Sequence, residues 1–285
     1  MKKHAYLIVA HNQFNLLKKQ IKLIDYPLND IYLHIDKKVK DFDFEEIKGI
    51  VKKSKLHIVS RNKVGWGGYS QIKTTIDMLE YAIKNKYEYY HFISGVDLPI
   101  KTQEYIHEFF DVNRGMEFIS FDDLTYSHQY DERIKYWWYL QEIEKQNKLA
   151  LILNRGIAKI QSILNINRIK DIDFKLQKGA NWFSITHDLA MYVVEKKEWI
   201  EKNFKYSHCA DEIFLQTIII NSKYKNRLYP KGNMRLIDWE RGNPYIWKYN
   251  DFESIINSDK IFARKFNEDV DKEIINKIYN KLNNN

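Results

Sequence analysis

Ala5-Tyr6-Leu7-Ile8-Val9-Ala10 is an unbroken apolar run that stops at His11 and Asn12. Continuous rather than alternating hydrophobicity marks a strand covered on both faces, as in the interior of a parallel sheet. The run is too short for a secretory h-region with its cleavage site and far too short to span a bilayer. It reads as a buried first strand. Working outward, Leu16, Leu17, Ile21 and Ile24 recur near helical spacing, and Pro27 ends that helix. Ile31-Tyr32-Leu33-His34-Ile35-Asp36 is a second strand that finishes on a carboxylate, and 56–60 is a short third. Val64-Gly65-Trp66-Gly67-Gly68-Tyr69-Ser70 leads into an amphipathic helix carrying Ile72, Ile76, Leu79 and Ile83. A fourth strand, 89–94, runs into Gly95-Val96-Asp97-Leu98-Pro99. This alternation predicts an open, mostly parallel sheet flanked by helices.

Further along, 116–121 is expected to be a strand, and 122–178 is less regular, aromatic and charged at first and helical around 150–164. A strand over 181–186, a helix over 187–204, a helix over 210–221 and a strand over 234–239 follow. Helices over 252–258 and 269–282 close the chain, the last one polar and running into three asparagines. No internal repeat and no linker interrupts the order, so a single domain is expected.

Hydrophobic residues are 44% and aromatics 15% of the 285 residues, enough for a substantial core, and 10 Gly with 4 Pro leave little material for flexible linkers. The formal charge of +8 suits anionic partners: nucleotide diphosphates, lipid head groups or nucleic acid. The lone Cys209 excludes an intramolecular disulfide and is the choice of a reducing compartment. No stretch reaches membrane-spanning length, so any membrane contact is expected to be peripheral, through basic and aromatic surface.

Several residues stand where chemistry is expected. Asp36 ends a strand, where open α/β sheets bind ligands; it can take a ribose or uracil hydrogen bond, or be a solvated loop residue. Gly65-Trp66-Gly67-Gly68 precedes a helix whose N-terminus can favour phosphate, or it is a tight turn with Trp66 as a packing plug. It is neither a Walker motif nor a dinucleotide fingerprint. Asp211-Glu212 begins a helix: the pair can serve the helix dipole, or one of the two can act as a general base. Arg235, Arg264 and Lys265 can cluster on a diphosphate. Trp182 and Trp239 can stack on sugar faces or belong to the core. Cys209 reads as a small buried packing residue, and His11 and His34 have no zinc-ligand spacing.

Taken in order, these strings resemble glycosyltransferase family 14, the core-2/I-branching β-1,6-N-acetylglucosaminyltransferases and peptide O-xylosyltransferases. The matching segments are 5–11, His34-Ile35-Asp36, Val64-Gly65-Trp66-Gly67-Gly68, Gly95-Val96-Asp97-Leu98-Pro99-Ile100-Lys101-Thr102, Gly179-Ala180-Asn181-Trp182-Phe183, Asp211-Glu212 and Phe262-Ala263-Arg264-Lys265-Phe266. The resemblance implies a GT-A-type, Rossmann-like sheet, with a nucleotide-sugar-binding half over 1–121 and an acceptor-binding, catalytic half over 122–285. It implies a UDP-sugar donor and inversion to a β-linkage, with N-acetylglucosamine as the first choice of sugar and xylose or another as the alternative. By the same resemblance Glu212 is the base, and Arg235 and Lys265, with Arg264, neutralise the departing diphosphate without a metal. That agrees with Gly95 standing where the first carboxylate of an Asp-X-Asp metal motif would be. His11, Asp36, Gly65, Trp66, Gly67, Asp97 and Trp182 are the expected nucleotide and sugar contacts. Glu132, Arg133 and Lys135, in the aromatic stretch 130–139, are the expected acceptor contacts together with Asp211 and Trp239.

Against the animal branching enzymes, the chain is expected to lack an anchor or stem segment; it has a single cysteine and so none of their disulfides, and 122–178 matches them poorly. These departures fit a cytoplasmic bacterial enzyme, peripheral at the inner membrane face, that glycosylates a capsule or lipid-linked glycan. An acceptor of that kind is expected, and no nucleic acid. The alternatives from other classes are a basic nucleic-acid binder and an inactive sugar-binding relative. Dispersed Lys and Arg without a nucleic-acid module signature argue against the first, and Glu212 against the second.

Overall fold

The computed structural model describes residues 2–123, 127–170 and 172–283, with side chains omitted for 127–130; the aromatic Tyr130 therefore lies outside the described side chains. Strands β1 (His4–Ala10), β2 (Asn29–Ile35), β3 (Lys55–Ile58), β4 (Tyr89–Ser94) and β6 (Phe183–Thr186) form one sheet in the order β3-β2-β1-β4-β6. All neighbours are parallel except β4 and β6. This is the mostly parallel, helix-flanked sheet that the alternation predicts. Alternate residues of β1 serve opposite cores. Ala5 and Leu7 pack with α3 (Tyr69–Ala82), α7 (His187–Glu195) and α9 (Phe214–Ile220), while Tyr6 and Ile8 pack with α1 (Phe14–Ile24), α2 (Phe44–Ile50) and α4 (Gln103–Val112). That two-sided cover is why the run had to be apolar throughout.

From β1 the chain moves outward to β2 and β3, then returns past β1 to β4. The order reverses between β1 and β4, and in such sheets the crevice beyond the strand ends at that point binds ligands. Gly95 belongs to this crevice: its N–H donates to the carbonyl of Val9 at 2.9 Å, and a Cβ there would come 2.7 Å from the Cβ of Ala10. The absent carboxylate at position 95 thus has a steric cause.

A second sheet, β5 (Leu98–Pro99), β8 (Phe262–Arg264) and β7 (Arg235–Ile237), pairs β8 antiparallel to β5 and parallel to β7. Helix α1 is apolar over a wide arc because it serves two clusters, Leu17, Ile21 and Ile24 facing one and Leu16 and Leu23 the small sheet. Helix α11 (Lys272–Asn283) buries Ile274, Ile275 and Ile278 in that second cluster.

Three expectations are corrected. The 116–121 stretch makes only isolated bridges, Glu117 with Leu228 and Phe118 with Ser184. The helix expected over 187–204 is two, α7 and α8 (Lys197–Phe204), which meet at Lys196. The helix expected over 210–221 is also divided: Ala210–Glu212 is a 3-10 turn, Ile213 breaks the geometry at φ −125° and ψ −40°, and α9 starts at Phe214. Asp211 and Glu212 are therefore turn residues, and no long helix dipole accounts for them.

Candidate active site

Glu212 sits on a turn that is fixed from several sides. Cys209, just before it, adopts φ 47°, and its N–H donates to the carbonyl of Gly67 at 2.8 Å. Gly67 itself has φ +75°, and a Cβ there would come 2.9 Å from the Cys209 sulfur. Cys209 is the buried packing residue expected; burial pushes its thiol up to about 12. Below the turn, Asp211 is buried and accepts from Asn181 Nδ2 at 2.9 Å and Gln71 Nε2 at 3.2 Å. It faces inward, so it anchors the turn rather than meeting an acceptor. The Glu212 carboxylate points the other way, with 37% of the side chain exposed, 2.9 Å from Arg133 Nη1 and 3.7 Å from Lys178 Nζ. Arg133 comes from α5 (Ser127–Lys135) and Lys178 also pairs with Asp122 at 2.5 Å. A carboxylate oriented and kept ionised by two cations, and still exposed, can accept the proton of an incoming hydroxyl.

The segment 179–184 joins this turn to the far side of the crevice. Gly179 N donates to the carbonyl of Glu212 at 2.9 Å, and any side chain at 179 would overlap the carbonyl oxygen of Ser120. Ala180 accepts from Gln216 at 2.7 Å, and Asn181 holds Asp211. Trp182 stacks on Phe92 and has the Arg264 guanidinium over its ring at 4.2 Å. Arg264 Nη1 lies 3.6 Å from Asp97 and is buried, with no hydrogen-bond partner among the described residues. The string Phe262-Ala263-Arg264 reaches Asp97 because β8 pairs with β5, immediately after Asp97 in the chain.

Asp97 is buried, and both oxygens are taken, by Ser94 N at 2.9 Å and Ser94 Oγ at 2.7 Å. A divalent cation needs several oxygen ligands. Here it would meet one carboxylate, already bonded and facing an arginine; the residues do not fit it. Among the described residues no cluster of three or more His, Cys, Asp or Glu is placed to hold a metal.

Arg235 is placed differently from its expected role. It is buried, donating through Nη1 to Ser184 Oγ at 2.9 Å and to the carbonyl of Asn233, and through Nη2 to the carbonyl of Phe183 at 2.6 Å. Burial pulls its pKa down to about 9, so it stays charged at neutral pH. It is a strut beneath the crevice. Ser184 Oγ continues the chain to His91 at 2.8 Å, and His91 is joined to His4 at 3.0 Å. Burial keeps both imidazoles well below their usual pKa.

At the β1 and β2 ends, Asp36 is buried and accepts from Lys38 N at 2.8 Å. His11 stands on the rim beside it. Desolvation lowers the His11 pKa, against the pull of Asp36 and with the help of Lys38 and Lys265. Lys38, Lys63, Gly65, Ser70 and Glu142 line a cleft of about 250 Å³ next to this group. The glycine loop does not cradle phosphate here. Glu142 occupies the N-terminus of α3, accepting from Ser70 N at 2.9 Å and Ser70 Oγ at 2.5 Å. A Cβ at Gly65 or Gly68 would strike Glu142, so those glycines make room for a carboxylate from the chain itself. Trp66 is 55% exposed, with Lys145 over its ring.

Of the other acceptor candidates, Glu132 is exposed, Lys135 lies over Tyr136, and Trp239 is on open surface beyond β7. Only Arg133 among them is brought to Glu212. Lys178, Asn181 and Gln71 were not singled out by sequence; the Gly-Ala-Asn-Trp-Phe string held the signal for Asn181.

The buried acids give a pH test. Burial, then the charge of Glu212, push Asp211 up to about 7. An acid with a raised folded pKa binds more protons folded than unfolded, so its contribution to stability falls as pH rises from about 4 to about 7. Buried histidines with lowered pKa act oppositely below about 6.5, so the test is a difference. The melting temperature of Asp211→Asn relative to wild type is expected to rise as pH goes from about 5 to about 8; a pH-independent difference would overturn the assignment.

Residues 4–260 match the Core-2/I-branching enzyme family. Among curated relatives, the chain is 21% identical to the β-1,3-galactosyl-O-glycosyl-glycoprotein β-1,6-N-acetylglucosaminyltransferase of Homo sapiens, over 94% of this chain and 66% of that protein. It is 21% identical to the β-glucuronosyltransferase GlcAT14A of Arabidopsis thaliana, over 96% of this chain and 64% of that one. It is 24% identical to the xylosyltransferase sqv-6 of Caenorhabditis briggsae, over 91% and 34%. The chain therefore spans less than two thirds of each relative's own length.

Proposed function

We propose, for a chain that belongs to the Core-2/I-branching enzyme family, that it transfers a sugar from a UDP-sugar to a glycan hydroxyl with inversion, forming a β-linkage in surface polysaccharide or glycoconjugate synthesis. The observation that carries this reading is Glu212, an open carboxylate on a turn anchored by buried Asp211. In this mechanism Glu212 takes the proton of the acceptor hydroxyl as it attacks the anomeric carbon from the face opposite UDP. The C–O bond to UDP breaks, and the electron pair leaves with the β-phosphate. Arg264 and Lys265 stabilise that charge in the role a metal plays elsewhere. Arg264 brings a largely buried guanidinium whose Nη1 has no hydrogen-bond partner among the described residues, and Lys265 lies close enough to His11 to lower its pKa. Arg235 holds the strand ends below. Asp36 and His11 face the nucleotide, and Trp182 shapes the sugar pocket under Arg264.

N-acetylglucosamine is the proposed sugar. The relatives are named for N-acetylglucosaminyl, glucuronosyl and xylosyl transfer, so the screen uses all three UDP-sugars. UDP-N-acetylglucosamine is expected to raise the melting temperature most, as a ligand of the folded state alone does. UDP release from it is expected to survive EDTA. Full dependence on manganese would overturn the Arg264–Lys265 role, and no stabilisation by any UDP-sugar would overturn the donor class.

A further inference from the structure

Helix α6 (Lys148–Ile163) is packed inside out. The face it buries carries Ala150, Asn154, Ala158 and Gln161, at i, i+4, i+8 and i+11. That face is held by polar bonds: Asn154 Nδ2 donates to Glu144 at 2.7 Å, and Gln161 bonds both the N–H and the carbonyl of Trp137, at 2.9 and 3.0 Å. The opposite face exposes Leu149, Ile152, Leu153, Ile160 and Ile163, with Leu164 just beyond; Ile152, Ile163 and Leu164 are 66%, 71% and 64% exposed. A surface helix normally has the reverse arrangement. Lys148, Arg155 and Lys159, at i, i+7 and i+11, lie together along one flank of this stripe and are exposed. From Lys145 to Lys170 the chain has no Asp or Glu at all. Among the described residues no helix is long and apolar enough to cross a membrane, so the stripe cannot be read as a span.

We propose that this face of α6 is a docking surface for a membrane carrying anionic lipid. A helix with an apolar stripe and a basic flank lies in the interface plane, its apolar side chains among the acyl chains and its cations against the head groups. Long basic side chains are suited to reach the phosphates from that position. A second copy of the chain is the poorer occupant, because a two-fold interface would bring two basic flanks together with no acidic residue between Lys145 and Lys170 to offset them. The surface is also tied to the reaction. Glu144, which receives Asn154, is bonded to His208 at 2.5 Å, and His208 N donates to the carbonyl of Arg133, the partner of Glu212. An acceptor glycan carried on a membrane lipid would be presented on that side, a consequence that rests on the transferase reading above.

The test is co-sedimentation of the full chain with vesicles of phosphatidylcholine, with and without a quarter of phosphatidylglycerol. Wild type is expected to bind the anionic vesicles and to lose binding as salt rises. Replacing Ile152→Glu together with Ile160→Glu is expected to weaken binding at least about tenfold, since apolar burial and charge act together. Replacing Lys148→Gln, Arg155→Gln and Lys159→Gln is expected to weaken it about fivefold per charge on anionic vesicles, and little on neutral ones. Both variants should keep wild-type melting and UDP-sugar binding. No binding by wild type, or equal binding by the double variant, overturns the proposal. So does a wild-type dimer in solution that the double variant dissociates. Vesicle binding as expected but without UDP-sugar binding would overturn the donor reading and leave this one standing.

Discussion

Glu212→Gln is expected to lower turnover by ~10²–10⁴-fold, the range of a lost general base, with donor affinity close to wild type. The amide has the shape of the carboxylate and keeps an oxygen for Arg133 at the 2.9 Å position, so the turn should hold. What it lacks is the capacity to take a proton. An interaction needed only in the transition state appears as a fall in turnover without a matching change in donor binding. Measuring UDP release alongside UDP-sugar affinity separates this from a general loss of structure. The neighbouring Asp211→Asn is the internal contrast. Asp211 is buried on Gln71 and Asn181, which both donate to its Oδ2, so an amide oxygen in that position can keep both bonds. If Glu212→Gln turns over near normally while Asp211→Asn is inactive, the two carboxylates have been assigned the wrong way round.

The sheet was legible because its strands had no choice about composition. β1 and β2 are covered on both faces, and 5–10 and 31–35 within them are consequently apolar enough to read directly, while polar Asn29 and Asp30 at the start of β2 were not. The division of 210–221 into a 3-10 turn and a short helix was not legible. Ala210, Ile213 and Phe214 keep helical periodicity because all are buried, while the break at Ile213 and the left-handed Cys209 are set by the loop beneath, through Gly67. The glycine loop misled for a related reason. Glycines before a helix look alike whether they admit a phosphate or a carboxylate, and the occupant, Glu142, lies over seventy residues away in the least regular stretch. Arg235 shows the same limit. Its residue type suits a diphosphate, but only the pairing of β7 with β8 and the nearness of β6 reveal that its guanidinium is already bonded to Ser184 and to main-chain oxygens.

Arg264→Gln and Lys265→Gln are each expected to reduce turnover by ~10²–10³-fold, the cost of removing one charged donor from a developing oxyanion. The two should act through the leaving group, so UDP-sugar affinity should fall much less than turnover. Arg264 sits between Asp97 at 3.6 Å and the Trp182 ring at 4.2 Å, and these neighbours hold the guanidinium in place before any ligand arrives. A preorganised cation of this kind stabilises charge as it forms, without first having to be reoriented. Arg235→Gln gives the discriminating comparison. It would strand a buried site whose acceptors, Ser184 and the carbonyls of Phe183 and Asn233, then lose a charged donor, and breaking such buried charged hydrogen bonds costs about 1.5–3 kcal/mol each at most. Its melting temperature should drop, and its turnover with it. Lys265→Gln should melt near wild type, and Arg264→Gln, which leaves buried Asp97 without its cation, should lose some melting temperature but turnover out of proportion to it. If instead Arg235→Gln folds normally and loses turnover selectively, while Arg264→Gln and Lys265→Gln do not, then the buried arginine is the diphosphate ligand, and the crevice must open further around a bound nucleotide than the arrangement of Ser184 and Phe183 around it implies.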